Sequence, residues 1–424
     1  AESIRMFTLI TNITGIVPEW IEKLDDIKDM GFNVVHLLPV TIMGSSESPY
    51  AASDLFNIDP SYAENISVFK QFAEAAGNKG ITLCLDIVLN HISCENEIVN
   101  KKADWLVPDK ERDDGFKRAG CWHNNSWISW EDLVLINYDH PDIAKRKKIY
   151  DYMKSYVSRW IELSDTGNIM IRLDNLHSSN TQFIEWLISE LKAEYPGTVI
   201  LSEYFGAEKD IDEAVGQFGL NLLTANSWEY PFVPLLQTYI QSIHDKKRAA
   251  RFLITPTSHD TGTAAELFST ALSSIPRYLC CALMGTGQTG IVQGFEYGVK
   301  EKINFIGRNH SPPEEDDFNF RGFIRDVNKV LQEHSCLRQH GNISFIGTGS
   351  ESIIACIRES ETENFLIAAN FDIHNPHGFN YHNNGKSEIL ISENCHIGDS
   401  DNGDGLIIEL GSCGACAVKL HPDR

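Results

Sequence analysis

The segment N-I-M-I-R-L-D-N-L-H, at residues 168–177, joins an apolar run to three polar side chains within six positions. The run is typical of a buried parallel strand, and the polar residues are Arg172, Asp174 and His177. Because Arg172 and Asp174 are two residues apart, a strand would place both on one face, where the guanidinium favours the ionised carboxylate. Asp174 is therefore a candidate nucleophile, although a surface ion pair at a strand end has the same spacing.

Three further apolar runs also stop at an acid or an imidazole. They end at Asp86 and His91, at Glu203, and at His259 with Asp260. Four such runs in order along one chain indicate parallel strands that open into one pocket. In a (β/α)8 barrel the catalytic residues come from the C-terminal ends of several strands, so this pattern predicts such a barrel.

Length and composition agree with this architecture. The 424 residues suffice for a barrel of about 250–350 residues and a small additional domain. We predict an α/β fold, a (β/α)8 TIM barrel over 1–90 and 142–338, with a short insertion after the third strand at 91–141. Short apolar runs separated by Gly, Asn and Asp predict a C-terminal antiparallel β-sandwich at 339–424.

The apolar periodicity locates the individual elements. Barrel strands are predicted at 4–10, 33–38, 81–91, 168–177, 198–203, 220–225, 252–257 and 290–298. Helices are predicted at 18–30, 66–78, 142–164, 181–195 and 264–284, and the segment 318–332 is predicted to close the ring. The segment 44–60 is rich in turn formers and predicts a loop, in which Tyr50 would either stack beneath a sugar ring or pack the loop itself.

The insertion contains four tryptophans in an irregular polar segment, Trp105, Trp122, Trp127 and Trp130. A loop of this length inside a barrel is normally functional, as a lid or a small domain over the active-site face. The tryptophans would then either grip a sugar chain or form the small core of the insertion itself. The sequence favours neither alternative.

Charge and cysteine usage restrict the partners and the compartment. The formal net charge of -23 repels polyanions, so nucleic acid and acidic membranes are not expected as partners. No run of about 18 apolar residues and no secretory signal pattern is found. Ten cysteines without a disulfide-like framework suggest an intracellular, cytoplasmic protein, and the lone C-x-x-C at 413–416 has no second pair to complete a zinc site.

Taken together, the four motifs resemble the signature regions of the α-amylase superfamily, glycoside hydrolase family 13. They are D-x-x-x-N-H at 86–91, R-x-D at 172–174, the strand-terminal Glu203, and H-D at 259–260. The resemblance extends over essentially the whole chain, because S-P-Y at 48–50 and G-F-E-Y-G at 294–298 also occur in the expected order. It implies a neutral α-glucan or maltooligosaccharide as substrate.

The resemblance also implies roles for individual residues. Asp174 would be the nucleophile, Glu203 the general acid/base and Asp260 the stabiliser of the transition state. A retaining glycosidase needs two carboxyls about 5–5.5 Å apart, one ionised and one protonated, and Arg172 would favour the ionised form of Asp174. The remaining residues of the predicted site would bind the substrate. Tyr50 would stack on the sugar, and His91, His177 and His259 would hydrogen-bond its hydroxyls.

One departure from the family pattern indicates a subgroup within the superfamily. Most family members have the histidine four residues after the nucleophile, whereas His177 follows Asp174 by three. The form R-L-D-N-L-H-S is similar to the glucanotransferase part of glycogen-debranching enzymes and to bacterial maltosyltransferases. The expected activity is hydrolysis of α-1,4-linked glucan, and the alternatives are a glucanotransferase or maltosyltransferase, or a catalytically silent glucan-binding protein.

No cofactor is expected to be required. Many family members hold calcium partly through the Asn of D-x-x-x-N-H, which is Asn90 here. The acids of the insertion, Asp109, Glu111, Asp113 and Asp114, are more simply a solvated surface, so calcium has no support from the sequence and no metal ligands are assigned.

Overall fold

The computed structural model describes residues 3–123, 126–163, 169–220, 222–244, 251–308, 318–383, 385–400 and 405–421. Parts of four predicted features, Ser164, Asn168, Asn221 and the Trp122 side chain, lie outside the described residues. Among the described residues, no helix has the length and apolar character needed to cross a membrane.

Eight parallel strands form one closed ring. They are β1 (Ile4–Leu9), β2 (Val34–Leu37), β3 (Thr82–Ile87), β4 (Ile169–Leu173), β5 (Val199–Ser202), β6 (Leu222–Thr224), β7 (Arg251–Leu253) and β8 (Gln288–Val292). Each strand pairs with its neighbours in chain order, and β1 pairs with both β2 and β8. A parallel bridge between Ile254 and Thr289 joins the β7 edge to the β8 edge, with Ile254 N donating to Gln288 O at 3.1 Å. The predicted (β/α)8 barrel is confirmed.

In the part of the chain that the structure describes, eight main helices cover the ring. They are α1 (Val17–Asp29), α2 (Ile66–Asn78), α3 (Ile143–Leu163), α4 (Thr181–Glu194), α5 (Glu208–Phe218), α6 (Val233–Ile243), α7 (Ser274–Leu283) and α8 (Arg321–Glu333). Short helical segments lie at Thr11–Thr14, Glu97–Lys101, Ala103–Trp105, Leu176–Ser178, Ser227–Glu229, Ala264–Phe268, Ala271–Ser273, Phe295–Tyr297 and Ser335–Arg338. Asparagine side chains cap two of the main helices, because Asn65 accepts from Ser67 N and Asn180 from Phe183 N.

Several details differ from the sequence prediction. The strands predicted at 81–91, 168–177 and 290–298 end earlier, at Ile87, Leu173 and Val292. The helix expected at 264–284 is broken, because Ser269 adopts the left-handed conformation at φ 70°, which a continuous helix does not permit. The loop expected at 44–60 contains the strand Ala52–Ile58, which pairs with Thr41–Met43. The helices α5 and α6 were not predicted.

The insertion after β3 forms a three-stranded antiparallel sheet, from His91–Ser93, Arg118–His123 and Ser126–Leu135. Trp105 is 8% exposed and packs edge-on against Tyr152 of α3, with ring centroids 5.5 Å apart, so it belongs to the main hydrophobic core. Trp127, in contrast, is 46% exposed. These two tryptophans therefore have different environments.

The C-terminal region is a two-layered antiparallel sandwich. Its strands are β9 (Ile343–Phe345), β10 (Ile353–Glu359), β11 (Asn364–Asn370), β12 (His377–His382), β13 (Ser387–Asp399) and β14 (Gly405–Leu420). The long strand β14 belongs to both layers, since its first half pairs with β12 and its second half with β11. Side chains alternate along β10: Ile353 is buried between the layers, and Ile354 packs against the barrel. The predicted sandwich is confirmed.

Arg358 joins this sandwich to the barrel. Its side chain is fully buried, and Nη1 donates to the carbonyl oxygens of Leu283 at 2.8 Å and Gly285 at 2.7 Å. Nη2 donates to Gln339 O at 2.9 Å, and Nε donates to Asn342 Oδ1 at 3.0 Å. Burial lowers the pKa of the guanidinium to about 10, so it stays charged at neutral pH.

Candidate active site

The guanidinium of Arg172 lies at the centre of the barrel mouth, where three carboxylates share it. Its Nη1 is 2.5 Å from Asp86 Oδ2 and 3.0 Å from Asp174 Oδ1, while Nη2 is 2.8 Å from Glu203 Oε1. All four side chains are nearly inaccessible to solvent, with Glu203 the most exposed at 13%. One rigid planar cation therefore positions three acids that come from three different strands.

Strand register explains why these four residues meet. Asp86 on β3 and Arg172 on β4 are paired positions, so their side chains leave the sheet side by side. The ladder continues beyond the strand ends, because Asp174 N donates to Ile87 O at 3.0 Å and Glu203 N donates to Leu173 O at 3.0 Å. Both acids are thus held by backbone hydrogen bonds to the neighbouring strand.

A left-handed turn after β4 fixes the Glu203 side chain. Asn175 adopts φ 46°, a conformation that asparagine tolerates better than most residues. Its backbone N–H then donates to Glu203 Oε2 at 2.8 Å, and Leu176 N donates to Glu203 O at 2.9 Å. Glu203 therefore has one oxygen on Arg172 and the other on a backbone amide.

The three acids have different electrostatic environments. Burial alone would raise the pKa of Asp86, but Arg172 and His36 outweigh burial and lower the pKa to about 2. For Asp174 burial is the largest influence, and with the charge of Glu203 it raises the pKa well above the usual range although Arg172 lowers it. Arg172 does favour the ionised form of Asp174, as predicted. However, the other influences outweigh this interaction, so the net effect is a raised pKa for Asp174.

Tyr50 and two histidines form one wall of the site. Tyr50 Oη donates to Asp86 Oδ2 at 2.9 Å and lies 2.7 Å from His259 Nε2, and the two rings are nearly parallel with centroids 6.0 Å apart. His91 Nε2 is 3.1 Å from the Tyr50 carbonyl oxygen, to which it donates. Burial lowers the pKa of His91 to about 4 and also lowers that of His259, so both rings are neutral at pH 7.

His36 belongs to the same network and was not predicted. Its Nε2 is 3.4 Å from Asp86 Oδ2, and its Nδ1 is 3.1 Å from Thr8 Oγ1. The available signal was an imidazole inside the otherwise apolar strand N-V-V-H-L-L, where a buried polar group requires a partner.

Asp260 and His177 lie at the rim. The Asp260 carboxylate is 53% exposed, with Oδ2 3.2 Å from His259 Nε2. His177 is exposed, and its ring centroid is 6.2 Å from that of Tyr204 and 6.1 Å from that of Phe205. The structure thus brings Asp174 and Glu203 together and places the other predicted site residues around them.

A cavity of about 210 Å³ opens beside these groups, and we call it the barrel-mouth cavity. Arg172, Glu203, His36, His259 and Asp260 contribute polar walls, and two aromatic residues outside the predicted set, Phe205 and Trp228, also line it. Three further lining residues, Met6, Leu201 and Leu253, belong to the apolar cluster inside the barrel. The cavity is large enough for a small ligand, and its walls are partly polar and partly apolar.

Asn90 Oδ1 is buried without a hydrogen-bond partner. In the described part of the chain, no group of three or more His, Cys, Asp or Glu side chains is placed to hold a metal ion. Two acids of the insertion have protein partners, since Asp114 is paired with Arg118 and Asp109 Oδ1 accepts from Glu111 N at 3.0 Å.

The site is thus an acid-lined pocket at the C-terminal mouth of a (β/α)8 barrel, and a sandwich domain follows the barrel in the chain. Residues 1–106 match the family model described as the glucanotransferase domain of glycogen debranching enzyme. A maltosyltransferase of Picrophilus torridus, named for α-1,4-glucan and maltose 1-phosphate, is 24% identical over 406 residues, covering 87% of this chain and 60% of the relative. These likenesses make the chain similar to members of the α-amylase superfamily.

Two further likenesses agree with this similarity. Alpha-amylase 2 of Dictyoglomus thermophilum is 23% identical, covering 85% of this chain and 64% of the relative. The crystal structure of an Anoxybacillus α-amylase superposes with a TM-score of 0.80 at 18% identity, covering 99% of this chain and 98% of that structure. The chain spans only 60% and 64% of the length of the two curated relatives.

Proposed function

We propose that this chain is a retaining glycoside hydrolase acting on α-1,4-linked glucan. The observation that carries the proposal is the shared guanidinium of Arg172, which holds Asp174 and Glu203 on its two terminal nitrogens at 3.0 and 2.8 Å. Two carboxyls held this close together in a buried site are what double displacement at a sugar carbon requires.

In the proposed reaction, Glu203 carries the proton, which removes the negative charge that helps to raise the pKa of Asp174. An oxygen of the Asp174 carboxylate then attacks the anomeric carbon while Glu203 donates its proton to the departing glycosidic oxygen. The bond to the leaving sugar breaks, and a glycosyl ester forms on Asp174. Glu203 then takes a proton from water, whose oxygen attacks the same carbon and releases Asp174. Asp260 and His259 would hydrogen-bond the sugar next to the scissile bond, Tyr50 would stack on it, and His91 and His177 would bind further hydroxyls.

Transfer to another sugar is the second candidate. It uses the same glycosyl ester, with a sugar hydroxyl in place of water. The likenesses to a glucanotransferase domain and to a maltosyltransferase favour it. A silent glucan-binding protein on this fold is the third candidate, but it would not need both carboxyls on one guanidinium.

Product analysis with maltoheptaose tests these alternatives. Hydrolysis would give shorter sugars with matching new reducing ends, and transfer would give sugars both shorter and longer than the substrate at constant reducing ends. Asp174→Asn and Glu203→Gln are each expected to lower turnover by at least about a thousandfold while glucan binding persists. The exposed isosteric change Asp151→Asn on α3 is the control, and equal turnover in all three variants would refute the site assignment.

We further propose the division into a barrel at 1–90 and 142–338, an insertion at 91–141 and a C-terminal domain at 339–424. We also propose a cytoplasmic location and a neutral glucan as partner. All ten cysteines are free thiols, which supports a reducing compartment. Thiol titration of protein isolated without reductant, after unfolding, tests the location, and fewer than ten free thiols would contradict it.

A further inference from the structure

We infer that Phe305 is a positioning residue, which holds Tyr50 and His259 in the orientation in which they would contact the sugar. This inference rests on the proposed function and concerns a segment outside the four signature motifs. The segment is the stretch 299–308 that follows β8, and we call it the β8 loop. Phe305 would act through two side chains of the site and not on the substrate itself.

Three aromatic rings form a triangle at the edge of the site. Tyr50 and His259 are nearly parallel, and Phe305 is close to perpendicular to both, at interplanar angles of 73° and 71°. The ring centroid of Phe305 is 5.8 Å from that of Tyr50 and 5.6 Å from that of His259. Aromatic rings attract one another edge to face at such distances and angles. One phenyl ring therefore restricts the rotation of both site residues.

The backbone on both sides of Phe305 is fixed from the barrel. Asn12 Nδ2 donates to Asn304 O and to Gly307 O, both at 3.1 Å. The partly buried Phe305 ring packs on a small apolar cluster, whose buried members are Ile10, Ile13 and Leu38. Because one amide group holds the carbonyls before and after Phe305, the ring cannot move away from the site without breaking these hydrogen bonds.

The β8 loop is also tied to the segment that carries Tyr50. Gly307 N donates to Glu47 O at 2.8 Å, and Arg308 Nη1 donates to Glu47 Oε1 at 2.8 Å. Arg308 Nη2 donates to Met43 O at 3.1 Å. Since Glu47 precedes Tyr50 by only three residues, these contacts fix the distance between the β8 loop and the Tyr50 backbone.

A second pair of hydrogen bonds joins the β8 loop to the segment that carries His259. Lys302 Nζ donates to Asp260 O at 2.5 Å, and Thr263 Oγ1 donates to Lys300 O at 2.8 Å. The β8 loop thus bridges the two segments whose side chains form this wall of the site.

The orientation of this wall should affect the transition state more than the bound substrate. Tyr50 and His259 would contact the sugar next to the scissile bond, where hydrogen bonds and packing become stronger as the bond breaks. A wall that rotates more freely would still bind the rest of the glucan. Loss of the Phe305 ring should therefore lower kcat more than it raises KM.

Initial rates with maltoheptaose test the inference. We expect Phe305→Ala to lower kcat/KM by at least about tenfold, mainly through kcat, and Phe305→Tyr to restore it to within about threefold of the wild type. Phe305→Leu fills much of the volume but has no ring edge, so it should not restore the rate. The matched control is Phe345→Ala, the same change at a partly buried residue of β9, which should stay within about twofold of the wild type.

A double-mutant cycle separates positioning from a general loss of stability. If Phe305 acts through Tyr50, Phe305→Ala should lower kcat by a factor at least about threefold smaller in a Tyr50→Ala background than in the wild type. Equal factors in both backgrounds, full restoration by Phe305→Leu, or equal rates for Phe305→Ala and Phe345→Ala would each overturn the inference while the proposed function stands. If the wild-type protein leaves maltoheptaose unchanged, the proposed function fails and the inference fails with it.

Discussion

Arg172 places one positive charge among three acids, so the four groups cannot all be ionised without a residual negative charge in a buried site. The surroundings of the acids compensate this buried charge unequally. Asp86 has the additional support of His36 and Tyr50, whereas Asp174 has Glu203 as an unfavourable neighbour. Substitutions of these two aspartates should therefore change stability in opposite directions.

Asp86→Asn is expected to destabilise the protein by about 2 kcal/mol at pH 7, because the carboxylate is ionised with a pKa of about 2 in the folded state. This contribution is present above the ordinary carboxyl pKa and is lost as the pH falls through about 2. Urea unfolding of both proteins at pH 7 and near pH 3 measures it. A difference that grows on acidification would contradict the account.

Asp174→Asn is expected to stabilise the protein at pH 7 while abolishing turnover. The folded-state pKa of Asp174 is raised, so the folded protein holds this proton more tightly than the unfolded chain does. Stability is therefore lost as the pH rises through the raised pKa, and a neutral amide avoids that loss. Thermal unfolding should show a higher Tm for the variant at pH 7 and a smaller gain near pH 4. A Tm at pH 7 that is lower for Asp174→Asn than for the wild type would contradict this prediction.

The site residues lie at the junctions between barrel strands and the loops that follow them. The turn at Asn175 is the most constrained of these junctions. Its left-handed backbone directs the N–H towards Glu203. A β-branched side chain is strained at this φ, whereas glycine is not.

Asn175→Val should accordingly lower kcat by about tenfold or more, because the turn must relax and the Glu203 carboxylate loses its backbone donor. Asn175→Gly should stay within a few-fold of wild type. Initial rates with maltoheptaose compare the two. Equal losses in both variants would show that the asparagine side chain matters and the backbone conformation does not.

The junctions were also the part of the fold that the sequence described best. Apolar runs that stop at Asp86, Arg172 or Glu203 reveal a strand and its polar end at once, since buried charges need a functional or structural reason. The break at Ser269 was missed, because local apolar periodicity continues through it. Trp228 was missed too, since its place in the cavity depends on strand order across the ring, which no local pattern contains.

For the whole molecule, the buried Arg358 makes the barrel and the sandwich mutually dependent. The carbonyl groups of Leu283, Gly285 and Gln339 have this guanidinium as a donor. Removing the guanidinium would leave these carbonyls without that donor, and a buried unsatisfied acceptor costs about 1–3 kcal/mol.

Arg358→Met is therefore expected to lower the free energy of unfolding by about 3–5 kcal/mol and to expose the C-terminal region to protease before the barrel. Arg325→Met removes a half-exposed arginine on α8, whose nearest contacts to Asp326 and Asp29 are 3.6 and 3.9 Å, and should change stability by less than about 1 kcal/mol. Urea unfolding combined with limited proteolysis measures both. Unchanged protease resistance in Arg358→Met would contradict the coupling.

The closure of the ring through β1 and β8 has a consequence for synthesis on the ribosome. The first strand of the barrel needs a partner from the last strand of the barrel, because Ile4 pairs with Gln288. Throughout translation of the intervening chain, the nascent β1 has one edge whose backbone N–H and C=O groups are unpaired, and such an edge is a site for aggregation. Slow elongation before β8 would lengthen that interval, so the yield of folded protein should depend on chaperones that bind the nascent chain.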